Sequence, residues 1–224
     1  MDLWHEFLRL FTELDKVLEE LVAQYGTWTY AILGLIVFCE TGLVVLPFLP
    51  GDSLLFAAGA LFGAKGLNVW LLAAILFSAA LCGDLVNYNV GRAIGPRAFS
   101  GRLRWLKQEH LERTHRFFEK YGGKAVILAR FVPIVRTFMP FVAGVGAMSF
   151  PRFMAFSVAG AAAWVTLFVG AGALLGSQPF IKQNFSKVVL VIIVISVLPI
   201  AIEWWRARRA ARSAARGAAA KEPS

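Results

Sequence analysis

Five side chains place charge inside otherwise apolar sequence: Glu40, Asp52, Asp84, Arg130 and Arg136. At mid-membrane each such residue costs about 2.5–3.5 kcal/mol on an insertion scale, so it normally pairs with an opposite charge or lines a watery cavity. Glu40 and Asp52 fall in one apolar stretch and Arg130 and Arg136 in a later one, a complementary set if the two stretches meet. The planar guanidinium fork pairs bidentately with phosphate, which suits the two arginines to an anionic lipid headgroup. The two acids suit proton uptake: removal from water favours the neutral carboxyl group and a nearby guanidinium the charged one. A headgroup that competes with the acids for the arginines would couple lipid binding to protonation. Plainer roles stand beside these. Asp52 follows Pro50-Gly51 and precedes Ser53-Leu54-Leu55, where it can cap a helix, and Glu40 can form a static salt bridge with an arginine.

The backbone around the arginines must be broken for both to serve one site. Six positions apart, they would point about 120° apart on a straight helix. Pro133 lies between them, and a proline in a helix interior removes a hydrogen bond and clashes. Irregular backbone at membrane depth is tolerated where protein buries it or water reaches it. Farther along, Asp84, Asn87, Tyr88 and Gly91 share a helical face by spacing, which is expected to hydrogen-bond a neighbouring helix or line the cavity. Gly172 with Gly176, and Ala159 with Ala163, are small residues four apart and predict close helix packing.

The elements that carry these residues are membrane segments. Of 224 residues 58% are apolar and 17% charged, against about 45–50% and about 25% in soluble domains. Residues 1–24 repeat apolar positions at helical spacing (Trp4, Phe7, Leu8, Phe11, Leu14, Leu18, Leu21, Val22) opposite a charged face. With six acidic and two basic residues, that stretch reads as an amphipathic helix too polar to span, and not as a cleavable signal. Apolar runs follow at Thr29–Leu46, Leu54–Phe62, Leu67–Val90, Ala125–Val145, Phe153–Leu175 and Val188–Trp205, with a Pro-Phe-Leu-Pro-Gly break at Pro47–Gly51. A second amphipathic stretch, around Leu103–Phe118, is basic. Cys39 and Cys82 have no metal-ligand spacing, and His5, His110 and His115 all lie in polar stretches.

The two halves echo each other. Tyr25-Gly26 corresponds to Tyr121-Gly122, and Pro47–Gly51 to Pro140–Gly144, at offsets of 96 and 93 residues. Each unit reads as amphipathic helix, Pro/Gly-broken apolar segment, then full span, a duplication common in secondary transporters. Net charge is +9, with nine Lys/Arg against three Glu from Arg92 to Lys124, and six Lys/Arg and no acid from Arg206 to Lys221. Both clusters flank apolar segments, so they point to a membrane surface and not to nucleic acid, and the positive-inside rule makes both cytoplasmic. Three apolar segments separate them. If Ala125–Val145 enters and returns, two crossings remain and both clusters share one side. Its counterpart Thr29–Phe62 is then re-entrant from the other side, although Thr29–Leu46 alone could reach roughly 27 Å as a helix.

The expected fold is therefore an all-α integral membrane protein. It is an inverted repeat of amphipathic helix, re-entrant helical hairpin and transmembrane helix, plus a C-terminal transmembrane helix. The parts are an amphipathic helix over 1–24, a membrane core over 25–176 with hairpins at about 27–63 and 124–148, a transmembrane helix over 177–205 and a basic cytoplasmic tail over 206–224.

Three ordered motifs resemble a known family. Glu40-Thr41-Gly42 with Pro47-Phe48-Leu49-Pro50-Gly51-Asp52 looks like the first signature of the DedA, or VTT-domain, family. Arg130-Phe131-Val132-Pro133-Ile134-Val135-Arg136, with Pro140 and Ala143-Gly144, looks like its second. Gly83-Asp84 with Tyr88, Gly91-Arg92 and Gly95 resembles the end of the span between them. The resemblance covers roughly Tyr25 to Gly176. It implies two facing re-entrant hairpins, dependence on the proton-motive force, and translocation of undecaprenyl phosphate or glycerophospholipids. It makes Glu40 and Asp52 the proton-coupling acids and Arg130 and Arg136 the phosphate ligands. Pro47, Pro50, Gly51, Asp84, Tyr88, Arg92, Pro133, Pro140 and Gly144 support them.

Other functions fit less well. A membrane enzyme needs a nucleophile with an acid–base partner at the site, yet no histidine lies in an apolar segment and Cys39 beside Glu40 is the only candidate nucleophile at the site. Paired carboxylates suit a proton/cation antiporter, but paired arginines argue for an anion. An energy-independent phospholipid scramblase could use the same groove. The partners expected are an anionic lipid substrate, the surrounding lipids and protons, with a homo-oligomer left open. No cofactor or metal is expected, and the location is the bacterial inner membrane.

Overall fold

The computed structural model describes residues 14–42, 51–99, 122–146, 148–176 and the short pieces 178–179, 187–188 and 191–192. Pro47 and Pro50, the basic stretch around Leu103–Phe118, residues 1–13, most of 177–205 and the tail over 206–224 lie outside the described residues. Among the described residues the ordered elements are all helical: α1 (Leu14–Tyr25), α2 (Trp28–Gly42), α3 (Gly51–Ala64), α4 (Val69–Phe99), α5 (Lys124–Ala129), α6 (Pro133–Val145) and α7 (Phe150–Leu175).

α1 is amphipathic for the reason its spacing predicts. Leu14 and Leu18 are buried with Val22 packed beside them, while Lys16, Glu19 and Glu20 face outward. Gly26 ends it at φ +52°, and Gly122 holds φ +57° just before α5. Left-handed backbone of this kind favours glycine, because a Cβ is crowded there. The two glycines stand 96 residues apart, each after a tyrosine.

Length separates the apolar helices into two kinds. α4 has 31 residues and α7 has 26, about 46 and 39 Å at 1.5 Å per residue, enough for a hydrocarbon core of about 30 Å. Only 28% of the most apolar stretch of α4 and 33% of that of α7 is buried within the protein. The remaining apolar surface faces outward, as in a protein solvated by lipid. By contrast the described parts of α2, α3 and α6 have 15, 14 and 13 residues, about 20–22 Å each, shorter than a hydrocarbon core of about 30 Å.

Packing binds the two halves together. α3 lies along α7, and α6 lies along α4; α2 packs on α4 as α5 packs on α7. Glycines set the closest approaches. A Cβ on Gly59 of α3 would run into the backbone of Val169, and one on Gly172 into that of Phe56. On the other side, a Cβ on Gly91 of α4 would run into Phe141, and one on Gly144 of α6 into Tyr88. Backbone-to-backbone contact without a Cβ between is how helices associate where the solvent is as apolar as the side chains. The close packing expected at Gly172 and Gly176 is thus present. Ala159 and Ala163 differ: both are exposed, because the buried face of α7 carries Ser157, Gly160, Ala161 and Trp164 instead.

Candidate functional site

The site is built on short helices and the breaks between them. The described part of α2 runs to Gly42 and carries Glu40 two residues before it. α3 begins at Gly51, which puts Asp52 in its first turn. α5 ends at Ala129, and the chain passes through Arg130 to Val132, which is extended at φ −119°, ψ 106°. Proline drives the residue before it out of the helical region, so Val132 must be extended. Pro133 then opens α6 at a position where its missing N–H has no intrahelical role. Arg136 follows one turn later, its N–H donating to the Val132 carbonyl at 2.8 Å.

These termini converge on one buried cluster. Arg136 donates through Nη1 to Asp52 Oδ1 and through Nη2 to Glu40 Oε1, each at 2.5 Å. Arg130 donates through Nη1 to Asp84 Oδ2, also at 2.5 Å, and the Ser157 hydroxyl donates to the same oxygen. All five charged side chains are buried. The pairing is more specific than two acids facing two arginines. Arg136 takes both hairpin acids, whereas Arg130 turns to Asp84, because α5 packs on α7 and the break after it carries Arg130 to the Asp84 level of α4.

Polar groups around the pairs fix their positions. Asn87 donates through Nδ2 to the Thr41 carbonyl at 3.0 Å and to the Thr137 carbonyl at 2.8 Å. These carbonyls belong to the residues directly after Glu40 and Arg136, so one amide on α4 ties the helix bearing the acid to the helix bearing its arginine. Tyr88 donates from its hydroxyl to the Met148 carbonyl at 2.5 Å and stacks on Phe153. Gly51 lies against the Glu40 carboxylate, where a Cβ would collide. Pro140 sits inside α6 and withholds the N–H that the Arg136 carbonyl would otherwise accept.

The remaining expected residues divide plainly. Gly144 is at the α4–α6 contact, and Pro133 opens α6. Arg92 is exposed on α4 and does not join the buried cluster. Trp164 and Ser157 join it without having been singled out in the sequence. They stand seven apart on the buried face of α7, and a buried indole N–H needs an acceptor; that spacing was the available signal. A cavity of about 10 Å³ remains between Asp84, Val126, Ala129, Arg130, Arg136, Met139 and Pro140. That is room for about one water.

Comparison with known proteins decides the kinship. The VTT domain matches residues 49–174. Protein DedA of Escherichia coli (strain K12) is 51% identical over 219 residues, 96% of this chain and 100% of that protein. The chain belongs to the DedA family. The inner membrane protein YqjA of Escherichia coli (strain K12) is 36% identical over 179 residues, 77% of this chain and 80% of that protein. The inner membrane protein YghB of Salmonella typhimurium is 33% identical over 174 residues, 77% and 78% of the two chains. No solved structure matches. The VTT-domain match takes in Asp52, Asp84, Arg130, Arg136 and Trp164 and begins after Glu40. With its outward-facing apolar helices, the chain is a DedA-family membrane protein.

Proposed function

We propose that this protein carries an anionic lipid across the bacterial inner membrane, without chemical conversion, by exchanging carboxylates for a lipid phosphate at Arg130 and Arg136. The observation that carries the reading is the pairing itself. Arg136 is held by two acids and Arg130 by one, all buried. A proton on a carboxyl group weakens its hold on a guanidinium, and a phosphate offers the same oxygens in bidentate form. A carboxylate left in so dry a place without its cation becomes neutral by taking up a proton. Lipid binding and protonation therefore favour each other, which links transport to the proton gradient. Undecaprenyl phosphate, a monoester with two negative charges to offer, suits the paired arginines better than a singly charged diester glycerophospholipid.

The carrier reading includes an inverted pair of re-entrant hairpins, α2–α3 and α5–α6. Their short helices, the matched glycines Gly26 and Gly122, and the reciprocal packing of α3 on α7 and α6 on α4 support it. By the positive-inside rule, the basic clusters support a cytoplasmic C-terminus.

Proteoliposomes holding the purified protein, labelled undecaprenyl phosphate and an imposed pH gradient test the proposal. Gradient-dependent movement of undecaprenyl phosphate, exceeding that of a labelled glycerophospholipid, is expected. Equal movement of both, indifferent to the gradient, would make the protein a scramblase. No movement of either by folded protein would overturn the carrier reading and favour proton/cation antiport.

A further inference from the structure

Trp164 of α7 is wholly buried and touches both halves of the charge cluster. Its indole Nε1 donates to Asp52 Oδ1 at 2.8 Å, the same oxygen that accepts from Arg136 Nη1. Its ring centroid lies 4.7 Å from Cζ of Arg136 and 5.5 Å from Cζ of Arg130. One side chain thus bridges two arginines that are otherwise held by different carboxylates. Attraction between a cation and an indole face strengthens when the pair is out of water, and this pair is.

Among the described residues, three guanidinium nitrogens of the cluster have no hydrogen-bond partner, Nε and Nη2 of Arg130 and Nε of Arg136, and neither do Thr41 Oγ1, Glu40 Oε2 and Asp84 Oδ1. Buried donors without acceptors are costly, so these point to an acceptor that arrives with the ligand. An oxyanion drawing in both guanidinium groups would release Asp52, and the indole N–H that Asp52 had occupied would then face the anion.

We infer that Trp164 is a ligand-binding residue of this site, completing with Arg130 and Arg136 a three-sided receptor for a phosphate oxyanion. The ring holds the two guanidinium groups together while their carboxylates are protonated. The N–H passes from Asp52 to a phosphate oxygen. The inference rests on the carrier reading above and adds to it a residue from α7. The ligand chemistry is a phosphate group, whether on a lipid or free.

The full-length protein in nanodiscs tests it with three probes: a polyprenyl phosphate, the corresponding polyprenol, and inorganic phosphate. Trp164→Phe keeps the ring and loses the N–H. It should raise the half-saturating concentration of polyprenyl phosphate roughly tenfold, the scale of one lost bond to a charged group, with a much smaller change in maximal transport rate. Trp164→Leu, which loses the ring as well, should weaken binding further. Because either variant could fold poorly, 5-fluorotryptophan incorporated into the otherwise unaltered chain gives a second reading. The fluorine resonance missing from Trp164→Phe protein should shift with polyprenyl phosphate and stay still with polyprenol.

A fluorine resonance indifferent to polyprenyl phosphate, or folded Trp164→Phe protein with unaltered half-saturation, would overturn the inference. If Arg136→Ala still abolished binding in that case, the carrier reading would stand without Trp164. A response to inorganic phosphate at lower concentration than to the lipid would overturn the lipid as the source of the phosphate. A protein that binds no polyprenyl phosphate at all would bring down the carrier reading first.

Discussion

Arg136→Ala should abolish lipid translocation and lower stability by about 3–5 kcal/mol, the range for removing one partner of a buried ion pair. Arg136 is the largest such lesion available, because its guanidinium satisfies Asp52 and Glu40 at once. Both carboxylates are left buried, and the loss is softened only as they take up protons. Thermal unfolding in detergent measures the stability and proteoliposome transport the function. The triple variant Arg136→Ala, Glu40→Gln, Asp52→Asn separates the two roles. With no stranded charge it should recover most of the stability and none of the transport. Recovery of transport would mean that Arg136 serves only to hold the helices together.

On the carrier reading, Glu40→Gln should uncouple movement from the gradient. The substitution keeps an oxygen for Arg136 Nη2 to bond, so the joint between α2 and α6 survives. It removes the charge that, in the proposed exchange, a proton would neutralise before the arginine is released. The part of the rate that a pH gradient drives should fall by roughly tenfold or more, the scale of one charge-assisted bond. The rate without a gradient should change far less. Transport by Glu40→Gln protein measured with and without the gradient checks this, and undiminished stimulation would remove Glu40 from the coupling. Asp52→Asn should act in the same direction with an added loss of affinity, since Asp52 also accepts from Trp164.

What the sequence revealed and what it hid follow from how each feature is made. Charges in apolar sequence are conspicuous because they are costly, so Glu40, Asp52, Asp84, Arg130 and Arg136 were legible without any structure. The break at Pro133 was legible because proline acts locally on the residue before it. The choice of partner was hidden. Nothing in the spacing assigns Arg130 to Asp84 and both hairpin acids to Arg136; that depends on how α5 and α6 dock on α7 and α4. Gly172 and Ala159 looked alike as small residues in an apolar helix, and only the rotation of α7 buries one and exposes the other. Trp164 was hidden for a related reason, since a tryptophan in an apolar run is ordinary until its N–H is seen to meet a carboxylate.

In the proposed exchange, lipid phosphate takes the arginines and the displaced carboxylates take protons. Calorimetric titration of the detergent-solubilised protein with a polyprenyl phosphate, in buffers of different ionisation enthalpy, counts those protons directly. Binding should draw protons from the buffer into the protein, and Glu40→Gln, Asp52→Asn protein should draw fewer. Tight binding with the same heat in every buffer would mean that no proton accompanies the lipid, and the exchange would be wrong.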